Sequence, residues 1–136
     1  MRITADTNVL VRAIVGDDEH QVRIAQAMLA AAQRIAVPLP VLCELVWVLA
    51  RTYRIPTRDI AEAIRRLIAA ANVSVNHQAV RAGLAMLQDG GDFADGVIAH
   101  EGAWLGADTL VSFDRQAVRL LQGQGQGQGQ AVRLLA

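Results

Sequence analysis

Five acidic residues occupy positions from which they could do chemistry: Asp6, Glu44, Asp92, Asp95 and Asp114. Asp6 follows a short apolar run. Glu44 is the only charged residue between Ile35 and Ala50, Asp92 and Asp95 are three residues apart, and Asp114 closes the Ser112-Phe113-Asp114 triplet. No nitrogen or sulfur donor accompanies them: His20, His77, His100 and the single Cys43 show no metal-ligand spacing, and no histidine adjoins one of these acids. Carboxylates gathered without such donors make a hard, all-oxygen site of the kind that takes Mg²⁺ or Mn²⁺ rather than zinc. Left alone, they would repel one another or stay partly protonated. A divalent ion among them would deprotonate water and neutralise charge on a phosphoryl group. Metal-assisted phosphodiester hydrolysis is the reaction class this pattern favours, with Asn8 and Ser112 as uncharged neighbours able to hold a water or a carboxylate.

The acids need elements to carry them. Short apolar runs alternate with amphipathic stretches, which predicts an α/β fold with a short, mostly parallel central sheet of four to five strands flanked by helices. Strands are expected near 2–5, 35–37, 73–75 and 109–111. Helices are expected over 8–15, 21–33, 41–50, 60–71, 77–88, from Asp92 to about Leu105, and over 116–121. Ile60, Ile64, Leu67, Ile68 and Ala71 repeat at helical spacing. In a parallel sheet, ligands bind at the carboxyl ends of the strands. Asp6 and Asp114 follow strands directly, Glu44 sits one turn into the helix after the second strand, and Asp92 and Asp95 open the helix before the fourth. The five acids are therefore expected to converge on one sheet edge. Each Asp also has a plainer role available, as helix cap, dipole partner or turn residue. Glu44 is different. In a helix apolar nearly all round it is expected to be buried, where an unpaired carboxylate is costly and a shared metal would supply its partner.

The 136-residue length suits one domain, expected over 1–121. Residues 122–130 alternate Gln and Gly and read as a mobile linker, since alternate glycines forfeit too much backbone entropy for a helix. The hexamer Gln116–Leu121 recurs unchanged as Gln130–Leu135. The reading is helical for the first copy and extended for the second, making 131–136 a possible last strand.

Composition narrows the class. Thirteen acids balance thirteen bases, every base is Arg, and apolar residues reach 53% while aromatics are only 4%. This excludes a globally basic nucleic-acid coat and an acidic disordered chain, and it predicts a core of Ala, Val, Leu and Ile. If five acids serve one edge, the rest of the molecule carries five more bases than acids. Arg12 and Arg115 lie near that edge and could meet RNA phosphates bidentately. The acid at position 6 comes too early for a secretory signal, and no apolar run is long enough to cross a membrane, so a cytoplasmic protein is expected. Trp47 and Trp104 are expected in the core or on a dimer surface.

Four segments together resemble the PIN-domain ribonucleases, specifically the VapC-type toxins of type II toxin–antitoxin pairs: Asp6-Thr7-Asn8-Val9-Leu10, Pro38 to Val48 around Glu44, Asp92 to Ala99, and Ser112-Phe113-Asp114-Arg115. The resemblance covers roughly residues 1–121. It implies a parallel sheet flanked by helices and an acidic quartet at Asp6, Glu44, Asp95 and Asp114, with Asp92 as an additional ligand or water-holder. It further implies Mg²⁺- or Mn²⁺-dependent cleavage of RNA, of the tRNA or rRNA class, a homodimer, and silencing by a cognate antitoxin. Two features depart from the pattern. Gly96 stands where Ala is commoner, and the Gln-Gly stretch is atypical. Two other readings compete: a non-catalytic domain of this fold that binds RNA or protein, and an aspartate-nucleophile phosphatase, which would want a second Asp where Asn8 stands.

Overall fold

Parallel strands need long crossovers, and the chain provides them as helices. The structure, a computed structural model, describes residues 1–124 and 129–136, and it divides into two compact units, Met1–Asn76 and His77–Ala136. The first runs β1 (Arg2–Thr4), α1 (Thr7–Val15), α2 (Glu19–Ala31), β2 (Arg34–Ala36), α3 (Leu39–Arg51), α4 (Thr57–Ala69) and β3 (Val73–Ser74). Its sheet has the order β1-β2-β3, all parallel, with Ile3 opposite Ile35 and Ile35 opposite Val73. Gly16, at φ 73°, ends α1 in a left-handed turn that a β-carbon would strain. Pro38 and Pro40 start α3, where a missing amide N–H costs nothing.

Helix α3 corrects one expectation. Leu42, Leu45, Val46 and Leu49 form a buried stripe, while Glu44, Trp47 and Arg51 lie exposed on the opposite side. Glu44 is thus a surface carboxylate, not a buried one. Apolar content concealed the helix's two faces, because Trp47 is apolar yet 59% exposed. Of the two places expected for Trp47 and Trp104, the exposure of both (78% for Trp104) removes the core.

The second unit runs α5 (His77–Gln88), α6 (Phe93–Trp104), β4 (Thr109–Ser112), α7 (Arg115–Gly123) and β5 (Ala131–Leu134). Helix α5 stops in a Schellman turn: Gly90, at φ 86°, donates to the Leu87 carbonyl, and Gly91 donates to that of Met86. Helices α5 and α6 then pack as a hairpin at very close range. A β-carbon on Gly96 would stand 2.2 Å from the Ala82 carbonyl oxygen, and one on Gly83 would stand 2.6 Å from the Phe93 ring. Met86, Ala99 and Leu121 form a buried cluster, with Leu110, Leu120 and Val132 packed against it. Phe93 and Met86 are fully buried, so the core is not restricted to Ala, Val, Leu and Ile.

Strands β4 and β5 are parallel neighbours, Thr109 opposite Ala131 and Ser112 opposite Leu134, with α7 as their crossover. The repeated hexamer thus appears once within α7 and once around β5. Of the stretch 122–130, Gln122 and Gly123 belong to the last turn of α7, and 125–128, part of the expected linker, lie outside the described residues. Among the described residues, no helix is long and apolar enough to cross a membrane.

Candidate active site

Each candidate Asp outside α6's interior does its local work as a cap. Asp6 follows β1 and accepts the Thr7 backbone N–H at 2.8 Å, opening α1. Asp92 accepts from the Ala94 N–H at 3.2 Å and opens α6, and Asp114 accepts from the Ala117 N–H at 3.0 Å and opens α7. The capping role and the chemical role are therefore compatible. Each cap uses one oxygen, Oδ1, and leaves the other carboxylate oxygen uncommitted to it.

In the first unit, Asp6 and the start of α3 follow the carboxyl ends of the neighbouring parallel strands β1 and β2. Asp6 and Glu44 are both exposed. Asn8 is exposed in the first turn of α1. Arg12 is already engaged: its Nε donates to Gln21 Oε1, and its guanidinium lies 3.9 Å from Asp17. That pairing occupies donors expected to meet a phosphate.

The second unit brings three acids into one electrostatic neighbourhood. Asp95 is half-buried in the first turn of α6, and burial, followed by the negative charges of Asp92 and Asp114, holds its carboxyl above the ordinary value of 3.8. Ser112 supports the set, because its Oγ accepts the Asp114 backbone N–H at 2.9 Å and fixes the chain as it leaves β4. Arg115 is exposed beside Asp114.

This donor set suits a hard divalent cation. Its ligands would all be carboxylate oxygens, and a positive charge there would relieve the repulsion that Asp95 feels. The carboxylates are not drawn into a finished cage: among the described residues, no group of three or more His, Cys, Asp or Glu side chains is arranged to hold a metal.

Two residues with a bearing on this set escaped sequence reasoning. Gly96, where Ala is commoner in the resemblance, lets α6 approach α5 and so fixes the base on which Asp92 and Asp95 stand. The signal was present in Gly83, a second small residue on the preceding helix. Gln116, which reaches the turn before Asp92, carried no signal at all. Residues 3–120 match the PIN domain family, a match running through both units. No curated protein matches the chain.

Proposed function

This chain belongs to the PIN domain family, whose members are generally nucleases, and on that premise we propose that it is a metal-dependent endoribonuclease acting as the toxin of a toxin–antitoxin pair. The observation that carries the reading is the set around Asp95: a half-buried carboxyl beside the charges of Asp92 and Asp114, which together with burial raise it above its ordinary value. A partly buried carboxyl facing two like charges is costly to ionise unless a cation uses it.

In this reading Asp6, Glu44, Asp95 and Asp114 are the catalytic carboxylates and hold Mg²⁺ or Mn²⁺, with Asp92 assisting as ligand or water-holder. When bound, the ion supplies an acidified water and neutralises charge at phosphorus. A cation held there would favour the charged form of Asp95, against the burial and neighbouring charges that raise its pKa. Ser112 keeps Asp114 in place through its backbone, Asn8 offers an uncharged donor, and Arg115 meets a substrate phosphate bidentately, with Arg12 available once released from Asp17. Hydrolysis breaks the P–O3′ bond, leaving a 5′-phosphate and a 3′-hydroxyl. The proposed substrate is RNA of the tRNA or rRNA class. The proposed partners are a second copy of the chain and a protein antitoxin, and the proposed setting is the cytoplasm.

The test is cleavage of total RNA by the purified chain with Mg²⁺ or Mn²⁺, with chelator, and with Asp6→Asn. Expected are metal-dependent cleavage that the variant nearly abolishes and growth arrest by the wild type alone. Cleavage that survives chelation, or full activity in Asp6→Asn, overturns the mechanism. A phosphorylated Asp6 would point to the phosphatase reading.

A further inference from the structure

The turn that delivers Asp92 to the head of α6 is gripped by one face of α7. Gln116 Nε2 donates to the Gly90 carbonyl at 3.3 Å, and Gln124 Nε2 donates to Asp89 Oδ2 at 3.2 Å. Between them, Leu120 closes over Gly91 so tightly that a β-carbon there would stand 2.7 Å from its Cδ1. Gln116, Leu120 and Gln124 are spaced i, i+4, i+8, so they form a single stripe along α7 and its C-cap residue. The stripe begins two residues after Asp114, and the turn it holds ends where Asp92 begins. The grip therefore joins the two helix starts that carry the acids of the second unit.

A tie of this kind has a physical purpose. The turn contains adjacent glycines, Gly90 and Gly91, and glycine carries more backbone freedom than any other residue. Its Schellman bonds fix it to the end of α5, but they do not relate it to Asp114. The α7 stripe does that, and Gln116 is its member nearest to Asp114. We infer that Gln116 is a positioning residue: its hydrogen bond to Gly90 sets the spacing between Asp114 and the Asp92–Asp95 pair, and with it the affinity of these carboxylates for a divalent cation. The inference rests on the metal-dependent reading proposed above.

Mn²⁺ binding to the full chain, followed by electron paramagnetic resonance of the free ion, tests it directly. The variants are Gln116→Ala and Gln116→Met, the second keeping length without the donor. Gln122→Ala is the control, because it removes a comparable bond from the same helix, to the Val132 carbonyl at 2.9 Å, away from the acids. Both Gln116 variants are expected to bind Mn²⁺ roughly three- to tenfold more weakly, the range that one hydrogen bond commands. Their melting temperatures should match that of Gln122→Ala, and RNA cleavage should recover at saturating Mn²⁺. Unchanged Mn²⁺ affinity in the Gln116 variants, or equal weakening in Gln122→Ala, overturns the positioning role and leaves the metal site standing. A wild type that binds no Mn²⁺ overturns the metal reading and the inference with it.

Discussion

Replacing Gly96 with Ala puts one methyl group where α5 and α6 touch. The new carbon would lie 2.2 Å from the Ala82 carbonyl oxygen, 2.7 Å from its carbonyl carbon and 2.9 Å from Gly83 Cα. Every one of these neighbours is backbone, so no rotamer change makes room, and the helices must separate by about 1 Å to restore ordinary contact. Overpacking of this kind costs about 1–3 kcal/mol or more, and a rigid backbone neighbour places it at the upper end. Alanine returns about 0.5–1 kcal/mol of helix propensity. The net expectation is a loss of about 2 kcal/mol, or a melting temperature lower by roughly 8 °C at about 4 °C per kcal/mol for a chain of this size. Gly102→Ala in the same helix is the internal control, because among the described residues its β-carbon would meet only Gln130 side-chain atoms at 3.9 and 4.0 Å. It should be neutral or stabilising by up to about 1 kcal/mol. Thermal and urea denaturation followed by circular dichroism measure both. Equal stability of the two variants would refute the close approach as the reason for Gly96.

Three further outcomes follow from the site. Asp114→Asn keeps a good helix cap and should stay within about 0.5 kcal/mol of wild type while losing RNA cleavage, whereas Asp114→Ala should lose about 1 kcal/mol as well; paired melting and cleavage assays separate the two roles. Because burial and neighbouring charges raise the Asp95 carboxyl above 3.8, the folded state binds its proton more tightly than the unfolded chain does. In chelator, the Asp95 contribution therefore lowers stability as pH rises from that value through the folded pKa, so Asp95→Asn should be the more stable protein at neutral pH, with the gap closing in acid; urea midpoints against pH would show it, and a gap that widens in acid would refute it. Glu44→Gln, at an exposed position, should change stability by no more than about 0.5 kcal/mol. Under the proposed function it should still abolish cleavage, and a large stability gain would revive a buried, unpaired Glu44.

Much of the framework was legible because local rules agreed with tertiary demands. The helix over 77–88 ends at Gly90-Gly91, whose left-handed turn only glycine takes without strain, and Asp92 and Asp114 are good caps wherever they stand. The placement of two candidate acids was legible for a related reason. Asp6 and Asp114 open helices directly after strands, at the ends where a parallel sheet presents its ligands. What escaped reading were directions and distances. Glu44 lies exposed because Leu42, Leu45, Val46 and Leu49 claimed the inner face of α3, a choice that composition alone does not make. The clamp from Gln116 to Gly90 spans 26 residues and obeys no local pattern.

The repeated hexamer draws the boundary most sharply. Chemistry was written in the sequence: which side chains are carboxylates, which glycines turn the chain, and where strands and helices alternate. The word Gln-Ala-Val-Arg-Leu-Leu, however, stands twice with two structures. After the Asp114 cap it coils, burying Ala117, Val118 and Leu121 on one helical face, and Gln116 is left outside to hold the turn before Asp92. In its second copy it extends beside β4, with Val132 and Leu134 half-buried on alternate positions and Gln130 bonded to the Ala99 carbonyl. Propensity is the same in both places, so it decides neither. A free N-cap settles the first copy, and an unpaired strand edge over a hydrophobic cluster settles the second; only the folded chain provides either.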